Sequence, residues 1–207
     1  MSPTKTNLTI VLACLLALPL QAQENTALPN PSFEQPAEGR PKGWRMFPSP
    51  EEAAGEFFVS AGQEGSDTHT GACALQFKFP QETSVSQCVW MADPVYGGMA
   101  AAPGRYSASF WIKAEDLRTG FHTWVVITGF TAENKRIDEL GRSDYLGTKD
   151  LPHGEWTRVS FSFDIPEGLP VARLAPSVIF KTSPDSSINL VPQETRILVD
   201  DLYIEKK

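Results

Sequence analysis

Polar and apolar residues alternate with a period of two along most of the chain, and helical periodicity is almost absent. The segment 106–113 is the clearest case, because its even-numbered residues are all apolar or aromatic. Similar runs predict strands at 56–61, 75–79, 85–91, 124–131, 159–165, 174–181 and 196–205, with Pro- and Gly-containing turns between them. Many short strands without intervening helices predict an all-β fold, a two-sheet antiparallel β-sandwich.

Two of these runs, extended to 72–79 and 83–91, flank Pro80-Gln81 and predict a hairpin. Folding the chain about that turn places Cys73 opposite Cys88, at a separation that a disulfide can bridge. A shift of one residue in register would remove this pairing. Two buried thiols in one core layer are therefore the alternative.

Two longer polar stretches, 92–102 and 132–152, predict loops of the kind in which sandwiches often bind ligands. Within the second, a short helical turn is expected at 135–140. Tyr96 lies in the first stretch and Tyr145 in the second, and we expect both rings to be exposed.

Residues 1–22 have the pattern of a secretory signal: Lys5, the apolar run 10–20, and a small residue, Ala22, at the expected cut. This predicts a secreted or periplasmic protein with one domain over 23–207. A lipoprotein signal ending at Cys14 is the alternative, disfavoured because the apolar run continues past that cysteine. The run is too short to span a bilayer, and no second one follows, so no transmembrane segment is expected.

Acidic residues outnumber basic ones, 25 to 18, and the formal net charge is −7. Such a chain repels the phosphates of nucleic acids, so no nucleic-acid partner is expected. The sequence also has no G-x-S-x-G elbow, H-E-x-x-H helix, phosphate-binding Gly-rich loop or C-x-x-C pair. We therefore expect a protein that is not an enzyme.

Several short motifs occur in a familiar order: Asn30–Glu34, Pro41–Trp44, His69–Gly71, Pro103–Tyr106, Ser109–Ala114, Gly154–Thr157, Ile165–Gly168 and Ile197–Leu202. With this order the chain resembles the jelly-roll carbohydrate-binding modules of families 4, 9 and 22, within the galactose-binding-like group. The resemblance implies a jelly roll that binds a carbohydrate without catalysis. It also implies a separate glycoside-degrading enzyme or a cell-surface protein as a partner.

A structural calcium ion often joins the first and last strands of the modules that this chain resembles. The matching positions imply Glu34, Asp200 and Asp67 as ligands, with Asp201 as the alternative to Asp200. Calcium takes six to eight oxygens from carboxylates and carbonyls, which suits this residue set. Two exposed acids at strand ends are the competing interpretation.

A sugar-binding sandwich needs aromatic rings on one sheet face or at its loops, with polar groups around them. Strand alternation places Trp111 on the outer face of its strand, and Trp124 with His122 and Thr128 on the outer face of another. The candidate ligand-binding residues are Trp111, Trp124, Tyr96, Trp90 and Arg173. Trp90 and Trp124 could instead be core, and a structural, adhesion or protein-interaction sandwich without a sugar ligand is the alternative function.

Overall fold

The computed structural model of the protein describes residues 27–49, 56–59, 67–78, 87–117, 120–182 and 195–207. These ranges hold thirteen β-strands and no helix. The strands are β1 (Pro36–Ala37), β2 (Arg40–Pro41), β3 (Trp44–Phe47), β4 (Glu56–Val59), β5 (Ala74–Lys78), β6 (Gln87–Ala92), β7 (Met99–Ala100), β8 (Gly104–Glu115), β9 (Phe121–Phe130), β10 (Arg136–Arg142), β11 (Thr157–Ile165), β12 (Arg173–Thr182) and β13 (Arg196–Lys206). The predicted signal segment and the turn at Pro80-Gln81 lie outside the described residues.

Two antiparallel sheets face one another. The first, here the front sheet, has the order β10-β9-β12-β6-β3, with β7 also paired to β12. The second, here the back sheet, has the order β11-β8-β13-β5-β4. Apart from the pairs β9-β10 and β4-β5, neighbouring strands along each sheet come from distant parts of the chain, as in a jelly roll. The predicted two-sheet antiparallel sandwich is confirmed.

The core lies between the sheets and follows the predicted alternation. Along β8 the even-numbered side chains from Tyr106 to Ala114 are buried, while the odd-numbered ones are partly exposed. Val125 and Ile127 of β9 are fully buried on the opposite side. Rings also meet across the sandwich, since Phe77 of β5 stacks on Phe180 of β12 with centroids 5.5 Å apart. The alternation therefore determines which side chains of the two sheets face the core and which face outward.

The predicted hairpin of 72–79 with 83–91 is wrong. β5 pairs with β13 and β4 in the back sheet, whereas β6 pairs with β12 and β3 in the front sheet. Each strand is therefore flanked on both sides within its own sheet. Cys73 and Cys88 are both buried thiols, and burial raises the pKa of Cys88 to about 12.

The predicted helical turn at 135–140 is also wrong, because that segment is strand β10, paired to the edge of β9. Two register shifts, between Arg136 and Glu139 and between Glu139 and Gly141, interrupt its alternation. Such bulges remove the period-two signal by which a strand is recognised in a sequence. β10 makes the front sheet wider at the edge where the candidate site lies.

Candidate functional site

A groove of about 410 Å³ runs over the outer face of the front sheet. The strand registers place five of its lining residues in one row across the sheet: Arg45 of β3, Met91 of β6, Ser177 of β12, Val126 of β9 and Arg142 of β10. Four strand spacings separate the ends of this row, about 19 Å. The groove is long enough for an extended oligomeric ligand and has an arginine at each end.

Two aromatic rings stand together in this groove. Trp124 of β9 is half-buried, and Tyr145, which follows β10, is 53% exposed. Their centroids lie 4.8 Å apart at an interplanar angle of 88°. The Arg142 guanidinium lies 5.3 Å from the Tyr145 centroid, and its Nη1 donates to the Tyr145 hydroxyl at 3.1 Å. Tyr145 is therefore held in place by its contacts with the Trp124 ring and with the Arg142 cation.

The backbone beside Tyr145 is fixed to β9. Leu146 and Thr123 exchange two backbone hydrogen bonds, at 2.9 and 3.0 Å. Two residues before Tyr145, Ser143 is hydrogen-bonded to Val125 twice: the Ser143 N–H donates to the Val125 carbonyl, and the Ser143 hydroxyl accepts from the Val125 N–H, each at 3.0 Å. These bonds on both sides of Tyr145 fix the position of its backbone beside Trp124.

A second pocket of about 410 Å³ adjoins the groove and shares Arg45 with it. Its edge carries Tyr96, 74% exposed, on a loop fixed by Asp93, whose carboxylate accepts from the N–H of Val95 and of Tyr96. Gly97 allows this loop to pass close to β3, because a Cβ there would lie 2.1 Å from the Gly43 carbonyl oxygen. The sequence-predicted Tyr96 is therefore exposed beside the groove.

The remaining candidate binding residues lie in different places. Arg173 is on the outer face of β12, opposite Phe130, and donates to the Asn134 side chain. Trp90 is only 1% exposed and donates from Nε1 to the Gln76 carbonyl at 3.3 Å, so it is a core residue, the alternative that alternation had left open. Trp111 is on the outer face of the back sheet, away from the groove, where His69 stacks on it at 3.9 Å.

Sequence reasoning missed the groove residues Arg45, Arg136 and Arg142, and the exposed Phe47 beside it. Phe47 is 61% exposed and lies in the row of Val89, Ile179 and Trp124 across the sheet. Alternation in β3, with Trp44 buried and Arg45 exposed, could have placed Arg45 outward. Nothing in the sequence says that the outer faces of β3 and β10 share one groove.

The implied calcium ligands all lie in or beside the segment 67–73, but each carboxylate accepts hydrogen bonds from protein donors. Glu34 accepts from the N–H groups of Ala72 and Cys73 at 2.9 Å, and Asp200 accepts from those of His69, Thr70 and Asp201. Asp67 is paired with Lys113. Within the described residues no three His, Cys, Asp or Glu side chains are placed to share a metal ion. The calcium site stays a prediction of the resemblance.

Two adjacent carboxyls at this segment titrate differently. Burial, with the neighbouring Asp201 charge, raises the pKa of Asp200 to about 7 despite its backbone hydrogen bonds. For Asp201, burial raises the pKa, but hydrogen bonds from His69 and Thr70 outweigh it and leave the pKa below its ordinary value. The His69 Nδ1 to Asp201 Oδ2 distance is 2.7 Å. His69 thus connects the Asp201 carboxylate to the Trp111 ring.

Comparison with solved structures places the fold. A family 61 carbohydrate-binding module in complex with β-1,4-galactotriose has a TM-score of 0.56 at 18% identity, covering 88% of this chain and 99% of that one. A cyclase from Fischerella sp. TAU, in complex with 4-(1H-indol-3-yl)butan-2-one, has a TM-score of 0.55 at 12% identity, covering 87% and 97%. The enzymatically active domain of tailspike protein 4 of bacteriophage CBA120 has a TM-score of 0.51 at 10% identity, covering 88% and 21%.

The fold is the jelly roll of carbohydrate-binding modules, as the sequence resemblance implied. Because a cyclase has a similar fold, the fold alone does not decide function. No family model matches the chain, and no curated protein matches it in sequence. Among the described residues, no helix has the length and apolar character needed to cross a membrane.

Proposed function

We propose that this protein is an exported, non-catalytic carbohydrate-binding module whose ligand lies in the front-sheet groove. The observation that carries the proposal is the Trp124–Tyr145 pair, two accessible rings set at a right angle in an elongated groove. Sugars have apolar faces that stack on such rings. Rings that meet at 88° offer two surfaces of different orientation, which suits successive residues of a twisted saccharide chain.

Polar groups around the rings meet the second requirement of a sugar site, which is hydrogen bonding to the sugar hydroxyls. Thr128, Ser177 and Glu139 line the groove with the arginines, so donors and acceptors surround the aromatic surface. Sugar hydroxyls both donate and accept hydrogen bonds, and this mixture matches them. The groove therefore combines the stacking and hydrogen-bonding parts of a sugar site.

The chemistry of the groove supports binding without catalysis. Among its described lining residues the single carboxylate is Glu139, which lies 3.7 Å from the Arg142 guanidinium. Glycoside hydrolysis ordinarily uses two positioned carboxyl groups, one of them with a raised pKa. Export belongs to the proposal through the signal pattern of residues 1–22, and with it a separate glycoside-degrading enzyme or a cell-surface protein as partner.

Affinity electrophoresis and a glycan array of plant, algal and bacterial polysaccharides test the proposal with two matched variants. Trp124→Ala should weaken glycan binding by about 30-fold or more, as expected for an aromatic contact at the centre of an interface. Trp111→Ala, on the outer face of the back sheet, should leave the affinity unchanged.

Circular dichroism and thermal melts of both variants control for folding. Absence of binding to every glycan would reject the proposal and favour a structural or protein-interaction role. Loss of binding in Trp111→Ala, with binding retained in Trp124→Ala, would show that the site lies on the back sheet.

A further inference from the structure

The outer face of the front sheet concentrates positive charge on a protein whose net charge is −7. Arg45, Arg136 and Arg142 line the groove, and the strand register places Arg173 on the same face. Glu139 is the one described acid in the lining. A neutral sugar has no negative charge with which these guanidinium groups could pair, so a neutral ligand does not explain their number.

Two of these arginines have no side-chain partner among the described residues. Arg142 is paired with Glu139 and bonded to Tyr145, and Arg173 is bonded to Asn134. Arg45 and Arg136 are exposed, and no described residue makes an ion pair or side-chain hydrogen bond with either of them. Their guanidinium groups are available to a ligand in the groove.

The positions of these charges follow the length of the groove. Arg45 and Arg142 end the same cross-sheet row, about 19 Å apart. Arg136 and Arg173 flank Phe130, four residues along β9 from that row, about 13 Å. Beyond Arg45, the adjoining pocket has the exposed Lys42, together with Asp93 and an ion pair of Arg40 with Glu38. Cations spaced at this scale match a polymer with repeated negative charges.

We infer that the ligand is an anionic carbohydrate, with uronate carboxylates or sulfate esters bound by Arg45 and Arg136 and sugar rings stacked on Trp124 and Tyr145. This inference rests on the proposed function. The planar fork of arginine binds a carboxylate or sulfate through two parallel hydrogen bonds, a geometry that a neutral hydroxyl cannot offer. The aromatic pair selects for a sugar, and the unpaired arginines select for its charge.

The test measures binding of the whole chain to polygalacturonate, a sulfated galactan, neutral β-1,4-galactan and poly-L-glutamate. Wild-type protein should bind the charged glycans roughly tenfold or more tightly than neutral galactan. The double variant Arg45→Gln/Arg136→Gln should remove that preference. The matched control Arg105→Gln/Arg158→Gln, which changes two exposed arginines of the back sheet, should retain it. Added salt should weaken charged-glycan binding and leave galactan binding nearly constant.

The outcomes separate the two proposals. Equal binding of neutral and charged glycans, lost in Trp124→Ala but unchanged in Arg45→Gln/Arg136→Gln, would overturn the anionic ligand and keep the sugar site. Binding of poly-L-glutamate as tight as that of polygalacturonate, and independent of Trp124, would overturn it as well. Absence of any glycan binding would reject the carbohydrate function itself. If the inference is correct, the tighter of the two charged glycans identifies the anion.

Discussion

Asp200 is a fully buried carboxyl beneath the segment 67–73, and its pKa near 7 makes stability depend on pH. A carboxyl whose pKa is raised by folding favours the folded state while it is protonated. That contribution is fully present below the ordinary pKa of 3.8 and is lost as pH rises through about 7. The full loss is about 4 kcal/mol.

Asp200→Asn removes the ionisation, so its free energy of unfolding should fall less than that of wild type between pH 4 and pH 8. Urea unfolding in the presence of a chelator measures this difference. Asp164→Asn, at an exposed carboxyl of β11, is the matched control and should follow wild type. Parallel pH profiles for wild type and Asp200→Asn would show that Asp200 does not carry the effect.

The same samples test the implied calcium site. A cation beside Glu34 and Asp200 would favour the ionised carboxyls, so added calcium would raise the melting temperature and flatten the pH profile. Superimposed melts with calcium and with chelator would contradict that prediction. The backbone hydrogen bonds to the two carboxylates would then be sufficient to hold the segment 67–73.

At the residue scale, alternation predicts which face of a strand a side chain takes, but not what covers that face. Trp111 and Trp124 were both expected on outer faces, and both lie there. His69 stacks on Trp111, while Trp124 lines a groove flanked by β10 and β3. The two tryptophans differ because His69 of the segment 67–71 covers Trp111, whereas β10, which the sequence predicted as a loop, flanks Trp124. The sequence pattern predicts neither neighbour, so it could not tell which of the two rings lines a groove.

At the scale of elements, β10 determines whether the groove has a second wall. It pairs with β9 in the front sheet and also contacts the back sheet, since a Cβ on Gly141 would lie 2.6 Å from Cβ of Phe163 on β11. The absence of a side chain at Gly141 lets β10 approach β11. Arg142 and Tyr145, which follow directly, depend on that position.

Gly141→Ala should therefore destabilise the protein by about 1–3 kcal/mol, as overpacking in a well-packed region does, and weaken glycan binding. Gly147→Ala is the matched control, because its Cβ would approach no atom closer than His122 Nδ1, at 3.3 Å, and should cost much less. Urea denaturation and affinity electrophoresis measure both effects. Equal stability of the two variants, with unchanged binding, would contradict the role assigned to β10.

The elements also show which strands and strand pairings the sequence could not predict. Strands with regular alternation, such as β8 and β11, were predicted closely. β10 was missed because its bulges interrupt the period, and β5 and β6 were paired wrongly because a run of apolar residues does not say in which sheet a strand lies. Sheet membership depends on long-range pairing, which local pattern cannot specify.

At the scale of the molecule, two sheets create two outer faces, and the described residues make them chemically different. The front face has the groove, the exposed rings and the unpaired arginines. The back face has Trp111 beneath His69, beside an ion pair of Lys113 with Asp67. Resemblance predicted the jelly roll correctly, but the choice of the front face as the proposed binding face rests only on side-chain placement.

The measurement that tests this account most directly is an NMR titration of the labelled chain with β-1,4-galactotriose and with trigalacturonate, with the five tryptophan indole signals assigned by substitution. The account predicts that the Trp124 indole and the amides of β9, β10 and β12 shift, with trigalacturonate effective at lower concentration. The Trp111 indole and the amides of β8 and β11 should stay in place. Shifts centred on Trp111, or no shift with either sugar, would contradict the account.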